Sequence, residues 1–312
     1  MKQINNIAVI GAGAVGTFYG GKLAKAGFIV QFQSKYMFSS QTKNMQIKSV
    51  WGDFDFPIQI FSDVSSMDKA DLIIVSAKTC KPSLDLIQYS KLIKKIRKHN
   101  SIILVLQNGM NMEEKLGKVF PKNPILGGLA FTCINRITHE EIHHIDYGQI
   151  KIGPLKNKFD AEGKLITKLF SDAGIDTKYE NNLRKARYEK LLWNVPFNSL
   201  SVIGNKSSTK EIIDFKPLFD LAKNLMLEVR AIAKKENIEI KKSLIDEMLE
   251  RTKKMKPYKT SMLLDFEKGK TMEVESILGE IYQTGKSLRV STPYLDYTYG
   301  IMQFLNRKSK LL

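Results

Sequence analysis

The chain has 312 residues, of which 43% are hydrophobic and 26% charged, enough apolar material for real cores and too much for a disordered or low-complexity protein. Lys and Arg number 49 against 32 Asp and Glu, a formal charge of +17 that brings nucleic acid, membrane surface and anionic ligands into question. The basic residues are mostly Lys, scattered along the whole chain without zinc-finger spacing or a basic-aromatic signature, so nucleic acid is set aside as a partner. No apolar stretch nears the roughly 18 residues of a membrane span, so no membrane association is expected. Two cysteines, Cys80 and Cys133, fit a reduced cytoplasmic protein better than a disulfide framework.

The amino terminus runs straight into a strand over residues 7–10, with no signal-peptide apolar region before it. A helix is predicted from Val15 to Ala26, closed by Gly27, then a second strand over 28–33. Further strands are predicted over 71–76 and 102–106, and a late one over 150–154. Their continuous apolar character marks strands covered on both faces. The basic run over 91–98 has apolar residues interleaved at helical spacing and reads as a solvated helix face. The other dense basic run is 253–256. Strands alternating with helices predict an α/β fold with a Rossmann, doubly wound parallel sheet. From about residue 182 the strand-like runs stop, and helices are predicted over 184–204, 207–236, 240–256 and 273–287. The expected domains are therefore 1–181, nucleotide-binding, and 182–312, all-helical and substrate-binding, with a cleft between them.

Gly11-Ala12-Gly13-Ala14-Val15-Gly16 is a G-x-G-x-x-G that follows the first strand and opens the first helix, the context a dinucleotide site requires. Gly11 permits the tight turn, Gly13 leaves room for the pyrophosphate, and Gly16 lets helix and strand pack closely. The helix N-terminus then offers free N–H groups to phosphate. The second strand ends Gln33-Ser34-Lys35, with none of the carboxylates that hold the ribose 2′-hydroxyl of NAD. Ser34 can donate to a 2′-phosphate and Lys35 supplies positive charge, so the expected cofactor is NADPH. Lys is a point charge, not a fork, and discriminates less sharply than Arg.

In the second half, Lys190, Asn194 and Asn198 fall at i, i+4 and i+8 and share one helical face. Asn is a poor helix former, and Pro196 inside the same pattern predicts a kink or irregularity. A helix that carries such residues is a candidate for site duty.

These motifs, taken in order, resemble the ketopantoate reductase family. The set comprises Gly11-x-Gly13-x-x-Gly16, Lys78 after the strand ending Val75-Ser76, and Gln107-Asn108-Gly109 after the next strand. It continues with Lys190-x-x-x-Asn194-x-x-x-Asn198, then Ser261-Met262-Leu263-Leu264-Asp265, and closes with Glu273. The resemblance implies NADPH-dependent reduction of 2-dehydropantoate to pantoate, in pantothenate and coenzyme A biosynthesis. It implies that Lys190 is the general acid and that Glu273 holds Lys190 and a ribose or substrate hydroxyl. It implies that Asn194, Asn198 and Ser261 grip the keto acid, and that Asn108 sits at the nicotinamide end of the cofactor with Lys78 nearby. Thr132 falls in a segment that approaches the cofactor in this family. Related chemistry on the same scaffold, such as reduction of another 2-keto acid or an opine-type or 3-hydroxy-acid dehydrogenase, is the alternative; an NADP-binding sensor without turnover is the third. Oligomeric state is not legible, a homodimer being one candidate.

The proposed chemistry is self-consistent. Hydride reduction of a ketone puts negative charge on oxygen, and a positioned ammonium can stabilise and then protonate it. Neutral amide and hydroxyl donors suit the substrate carboxylate, and no metal is called for. His139-Glu140-Glu141-Ile142-His143 matches the zinc-protease pattern, but that chemistry needs both His on one helical face, and this stretch reads as loop and strand. Cys80 and the methionines Met110, Met112, Met226, Met262 and Met272 read as packing.

Overall fold

A computed structural model describes residues 3–34 and 43–308. They fold as two compact units: the first from the chain up to Lys78, Ser83–Gln107 and Asn111–Leu183, the second from Thr79–Pro82, Asn108–Met110 and Arg184 onward.

The first unit contains β1 (Asn6–Ile10), α1 (Ala14–Lys25), β2 (Ile29–Gln33), β3 (Lys43–Ser49), β4 (Phe54–Phe61) and β5 (Ala70–Val75). It continues with α2 (Pro82–Ile96), β6 (Arg97–Val105), α3 (Met112–Val119), β7 (Ile125–Arg136), β8 (Glu141–Pro154), α4 (Asp160–Asp172) and β9 (Thr177–Tyr179). The nine strands among the described residues form one sheet in the order β3-β4-β2-β1-β5-β6-β7-β8-β9, and β3 also pairs with the start of β8.

The run β4-β2-β1-β5-β6-β7 is parallel, as expected for the strands read from the sequence. Its middle strands are apolar on both faces because both faces are covered. Ile7 and Val9 of β1 enter one core, with Phe18, Tyr19 and Leu23 of α1 and Ile166 and Phe170 of α4. Ala8 and Ile10 enter the other, with Tyr89 and Ile93 of α2 and Leu116 of α3. β5 and β6 divide their side chains in the same way.

The sheet is not wholly parallel. β3 runs antiparallel to β4, and β7 antiparallel to β8. Phe54, Phe56 and Ile58 alternate with exposed residues along β4, the period of a half-buried strand, which a search for continuous apolar runs passes over. The basic run over 91–98 is likewise divided: α2 ends at Ile96, and Arg97 and Lys98 begin β6.

The second unit contains α5 (Leu183–Ile203), α6 (Thr209–Asp214), α7 (Lys216–Lys235), α8 (Ser243–Lys254), α9 (Ser261–Glu267), α10 (Glu280–Ser287) and α11 (Pro293–Lys308), with a π-helical turn over Glu275–Gly279 leading into α10. Leu191, Val195 and Phe197 of α5, Leu225 and Val229 of α7 and Ile281 of α10 join a single core. The predicted helix over 207–236 is two helices. Ser208 opens α6 through a capping box with Glu211, and Phe215 leaves helical backbone at φ −93°, ψ 103°. Pro217 then sits in the first turn of α7, where its missing N–H costs nothing. α11 is capped from a distance: the buried Glu228 carboxylate of α7 accepts the N–H groups of Tyr294 (3.0 Å) and Leu295 (2.8 Å). No described helix is long and apolar enough to cross a membrane.

The amino ends of β1 and β6 are tied to that of β5, between them, by one carboxylate. Asp71 is 8% exposed. Its Oδ2 accepts from the N–H groups of Asn5 and Asn6 at 3.1 Å each, and its Oδ1 from Lys98 Nζ at 2.6 Å. Burial pushes this carboxyl up, but Lys98 and the two N–H groups outweigh it and hold the group below its ordinary value. A depressed folded value means that the contribution is present above the unfolded value of about 3.9 and is lost as pH falls through the folded one. Asp71→Asn is expected to destabilise the protein at neutral pH by on the order of 1–2 kcal/mol, with the deficit shrinking in acid below about pH 4. Denaturant titrations at both pH values check this; a deficit that grows in acid would refute the account.

Candidate active site

Packing, rather than sequence habit, dictates two of the three glycines in the turn after β1. Gly11 has φ +95°, and a Cβ on it would lie 2.4 Å from the Ala77 nitrogen. The N–H groups of Gly11 and Ala12 both donate to the Gln33 carbonyl, at 3.1 and 3.0 Å. At Gly16 a Cβ would lie 2.1 Å from Ser76 Oγ, which itself donates to the Gly11 carbonyl at 2.8 Å. Gly13 differs: it is exposed, and a Cβ there would meet nothing within 4 Å. It stands at the N-cap of α1 without any side-chain cap, and the first turn of α1, which includes Ala14, Val15 and Gly16, has no acidic residue. The turn is thus rigid at Gly11 and Gly16 and open at Gly13. The open glycine, the uncapped helix end and the lack of nearby acid in that turn suit a bound phosphate.

At the end of β2, Gln33 and Ser34 are buried, and the Ser34 N–H donates to the Phe61 carbonyl at 3.0 Å. Lys35, the predicted 2′-phosphate ligand, lies outside the described residues. Lys78 follows β5 with its side chain exposed and its carbonyl accepting from Tyr89 Oη at 2.6 Å. Thr132 lies in β7 opposite Tyr147, and its Oγ1 is buried with no partner among the described residues.

In the second unit, α5 puts Lys190, Asn194 and Asn198 on one face, at 7%, 8% and 3% exposure. The helix continues through Pro196 instead of ending there. Pro196 cannot donate to Leu192, and neighbouring side chains occupy the next carbonyls. Asn198 Nδ2 donates to the Asn194 carbonyl at 3.0 Å, and Ser199 Oγ to the Val195 carbonyl at 2.6 Å. Trp193 stacks on Phe197 with centroids 4.9 Å apart and donates Nε1–H to Thr252 Oγ1 at 3.0 Å. Asn198 Oδ1 is buried with no partner among the described residues, an acceptor at the end of the stripe.

Lys190 Nζ donates to Asn108 Oδ1 at 3.0 Å across 82 residues of sequence. Asn108 is fixed by its successors. Gly109 has φ +91° and lies so close to the π-helical turn that a Cβ would come within 2.1 Å of the Ser276 carbonyl oxygen. The Met110 N–H donates to that same carbonyl at 3.2 Å. Glu273, 6% exposed, precedes the turn and accepts the Thr79 N–H on Oε1 at 3.0 Å. Cys80 Sγ approaches the Thr271 carbonyl at 3.6 Å. Two short excursions, 79–82 and 108–110, therefore dock on residues 271–276, and one of them delivers Asn108 to Lys190. A π-helical turn at such a point fits the frequent use of these irregularities at functional sites.

Ser261 begins α9 and is exposed; the buried polar contact there belongs to its neighbour Thr260, whose Oγ1 accepts the Leu263 N–H at 3.2 Å and lies 2.7 Å from Ser201 Oγ. His139 lies in a bend before β8 and His143 within β8, with His143 Nε2 2.6 Å from Glu141 Oε1, so the zinc-protease pattern is not on a helix. Sequence reasoning missed Thr79, whose contribution is a backbone N–H, and Ser276, whose contribution is a carbonyl. Gly109 after Asn108 was the available signal for that close approach.

Two family models match the chain: Ketopantoate reductase PanE/ApbA over residues 7–157, and Ketopantoate reductase PanE/ApbA C terminal over 182–306. A 2-dehydropantoate 2-reductase from Nostoc sp. is 36% identical, covering 97% of this chain and 96% of the relative. Two crystal structures of 2-dehydropantoate 2-reductases share the fold. That from Geobacter metallireducens has a TM-score of 0.89 at 30% identity, covering 98% of this chain and 100% of the other. That from Methylococcus capsulatus has a TM-score of 0.86 at 31% identity, covering 98% of both. The chain belongs to the ketopantoate reductase family.

The packing of the glycine turn separates two otherwise similar substitutions. Gly16→Ala is expected to destabilise the protein by on the order of 1–3 kcal/mol, since its methyl overlaps Ser76 and the Gly11 carbonyl. Gly13→Ala, at φ −75° with open space around it, is expected to change stability by under about 1 kcal/mol. Denaturant titration of the two variants reads the contrast, and equal losses would overturn this description of the turn.

Proposed function

We propose that the protein is an NADPH-dependent 2-dehydropantoate 2-reductase that reduces ketopantoate to pantoate, with Lys190 as its proton donor. The observation that carries the reading is the Lys190 ammonium, buried at one end of an amide-bearing helix face and bonded to Asn108. The glycine turn of a Rossmann-type sheet supports the dinucleotide half of the reading, with Gly11, Ala12, Gly13, Ala14, Val15 and Gly16 forming the phosphate cradle. Ser34 and Lys35, in place of a carboxylate, favour the 2′-phosphate of NADPH over the free hydroxyl of NADH. Lys78 and Thr132 are assigned to cofactor binding as well.

A reduced nicotinamide, when bound, supplies hydride to the keto carbon. The chain's own residues handle the oxygen and the carboxylate. Lys190 Nζ–H faces the developing alkoxide, lowers its energy by charge and gives it a proton. Asn108 orients the ammonium by accepting one of its hydrogens. Asn194, Asn198 and Ser261 hold the keto acid through neutral donors, so that its negative charge is bound without a second cation competing for the alkoxide. Glu273 holds Lys190 and a hydroxyl of substrate or ribose. The two cysteines are both unbridged and fit the reducing cytoplasm where we place the enzyme.

Titration with NADPH and with NADH, followed by NADPH oxidation across a panel of keto acids, tests the assignment. Tighter binding of NADPH and fastest turnover with ketopantoate are expected. Fastest turnover with another keto acid would reassign the substrate, and cofactor binding with no turnover on any would reduce the protein to a sensor. Lys190→Ala is expected to lose at least about 10²-fold in kcat with NADPH affinity little changed. Near-normal kcat in that variant would remove Lys190 from its role.

A further inference from the structure

Arg136 ends β7 and is half-buried within the first unit. Its Nη2 donates to the carbonyl oxygen of Ala12 at 3.0 Å and to Thr17 Oγ1 at 2.8 Å. Its Nη1 donates to the His139 carbonyl at 3.1 Å. One nitrogen therefore joins the middle of the glycine-rich turn to the first turns of α1. Nε is buried with no partner among the described residues. Arg136 forms no salt bridge among those residues either: every polar partner it has is a neutral oxygen or the Met45 sulfur. Burial pulls the guanidinium down to about 10, which still leaves it charged at neutral pH.

Holding one carbonyl in place does not need a cation. A half-buried charge with no counter-ion among the described residues costs free energy that a neutral donor such as Gln would not. The cost is offset when an anion arrives, and the open glycine turn that Arg136 braces is where an anion is expected.

We propose that Arg136 is a positioning residue for dinucleotide binding: it sets the Ala12 carbonyl and thereby the glycine-rich turn, and its charge is neutralised by the phosphates that the turn receives. The inference rests on the dinucleotide reading above, and extends it to a residue at the far end of the seventh strand. Arg suits the task better than Lys because its planar fork can bond Ala12, Thr17 and His139 at once.

The test is NADPH binding by Arg136→Gln and Arg136→Lys, measured by calorimetry at low and at high salt, with kcat at saturating NADPH measured alongside. Arg136→Gln is expected to weaken NADPH binding about tenfold, to flatten the salt dependence of the dissociation constant, and to keep kcat within about twofold. Arg136→Lys, which retains charge without the fork, is expected to lose about threefold and keep the wild-type salt dependence. A purely structural brace would move affinity without moving the salt slope. Wild-type affinity and salt slope in Arg136→Gln, or wild-type affinity in Arg136→Lys should only that variant fold, overturns the proposal while the dinucleotide reading stands. A fall in kcat at saturating NADPH matching the fall in kcat/KM overturns it too, by moving Arg136 to the chemical step. Wild-type protein that binds no dinucleotide overturns the reading and this inference together.

Discussion

A lysine ammonium held away from solvent is the demand around which the helical unit is arranged. Removing such a charge from water costs several kcal/mol unless its hydrogens find acceptors. Lys190 meets that demand in part through Asn108, and the rest of the local architecture follows from keeping Asn108 where it is. Gly109 takes a positive φ so that the backbone can lie against Ser276, and the Met110 N–H is bonded to the same carbonyl. An amide acceptor is a particular choice. It satisfies a hydrogen of the ammonium without itself contributing opposite charge.

The helix that bears Lys190 is itself a compromise between stability and chemistry. Asn194 and Asn198 are poor helix formers, and Pro196 removes a hydrogen bond. α5 persists because its other faces are buried in the core through Leu191, Val195 and Phe197, and because the Asn198 and Ser199 side chains bond the carbonyls within the turn. Tertiary packing thus outweighs local propensity along 21 residues of helix. Pro196 does not end the helix, because the core holds both sides of it.

Much of the fold was legible, and what was not has a physical reason. β1, β2, β5 and β6 announce themselves as continuous apolar runs because helices cover both sheet faces there. β3, β4 and most of β8 alternate, and β7 carries Gly127 and Gly128, so none resembles a doubly covered strand. The break at Phe215 was in principle readable from the Ser208–Glu211 capping box and Pro217, both standard start signals. α9, at seven residues, is too short for periodicity to register. At the site, the i, i+4, i+8 spacing on α5 exposes the stripe directly, whereas the partnership of Lys190 with Asn108 spans 82 residues and has no signature in spacing. Thr79 and Ser276 act through backbone atoms, which every residue possesses, so no reading of side-chain chemistry could single them out.

The parallel strands account for where these separate signals fall along the chain. β1, β5 and β6 are adjacent in the sheet and run the same way. Their carboxyl ends lead, in turn, into the glycine turn at Gly11, the segment holding Lys78 and Thr79, and the segment holding Asn108. Ligands of open α/β sheets characteristically sit beyond the carboxyl ends of the strands, where loops are free to vary while the strands fix their starting points. The same strands that must be apolar on both faces to be covered therefore have to change abruptly to Gly, Lys, Thr and Asn at their ends. That change in character from Val75 to Lys78 and from Leu106 to Asn108 is a site signal in its own right, independent of any single motif, and it is written in the sequence at the points where burial stops dictating residue type.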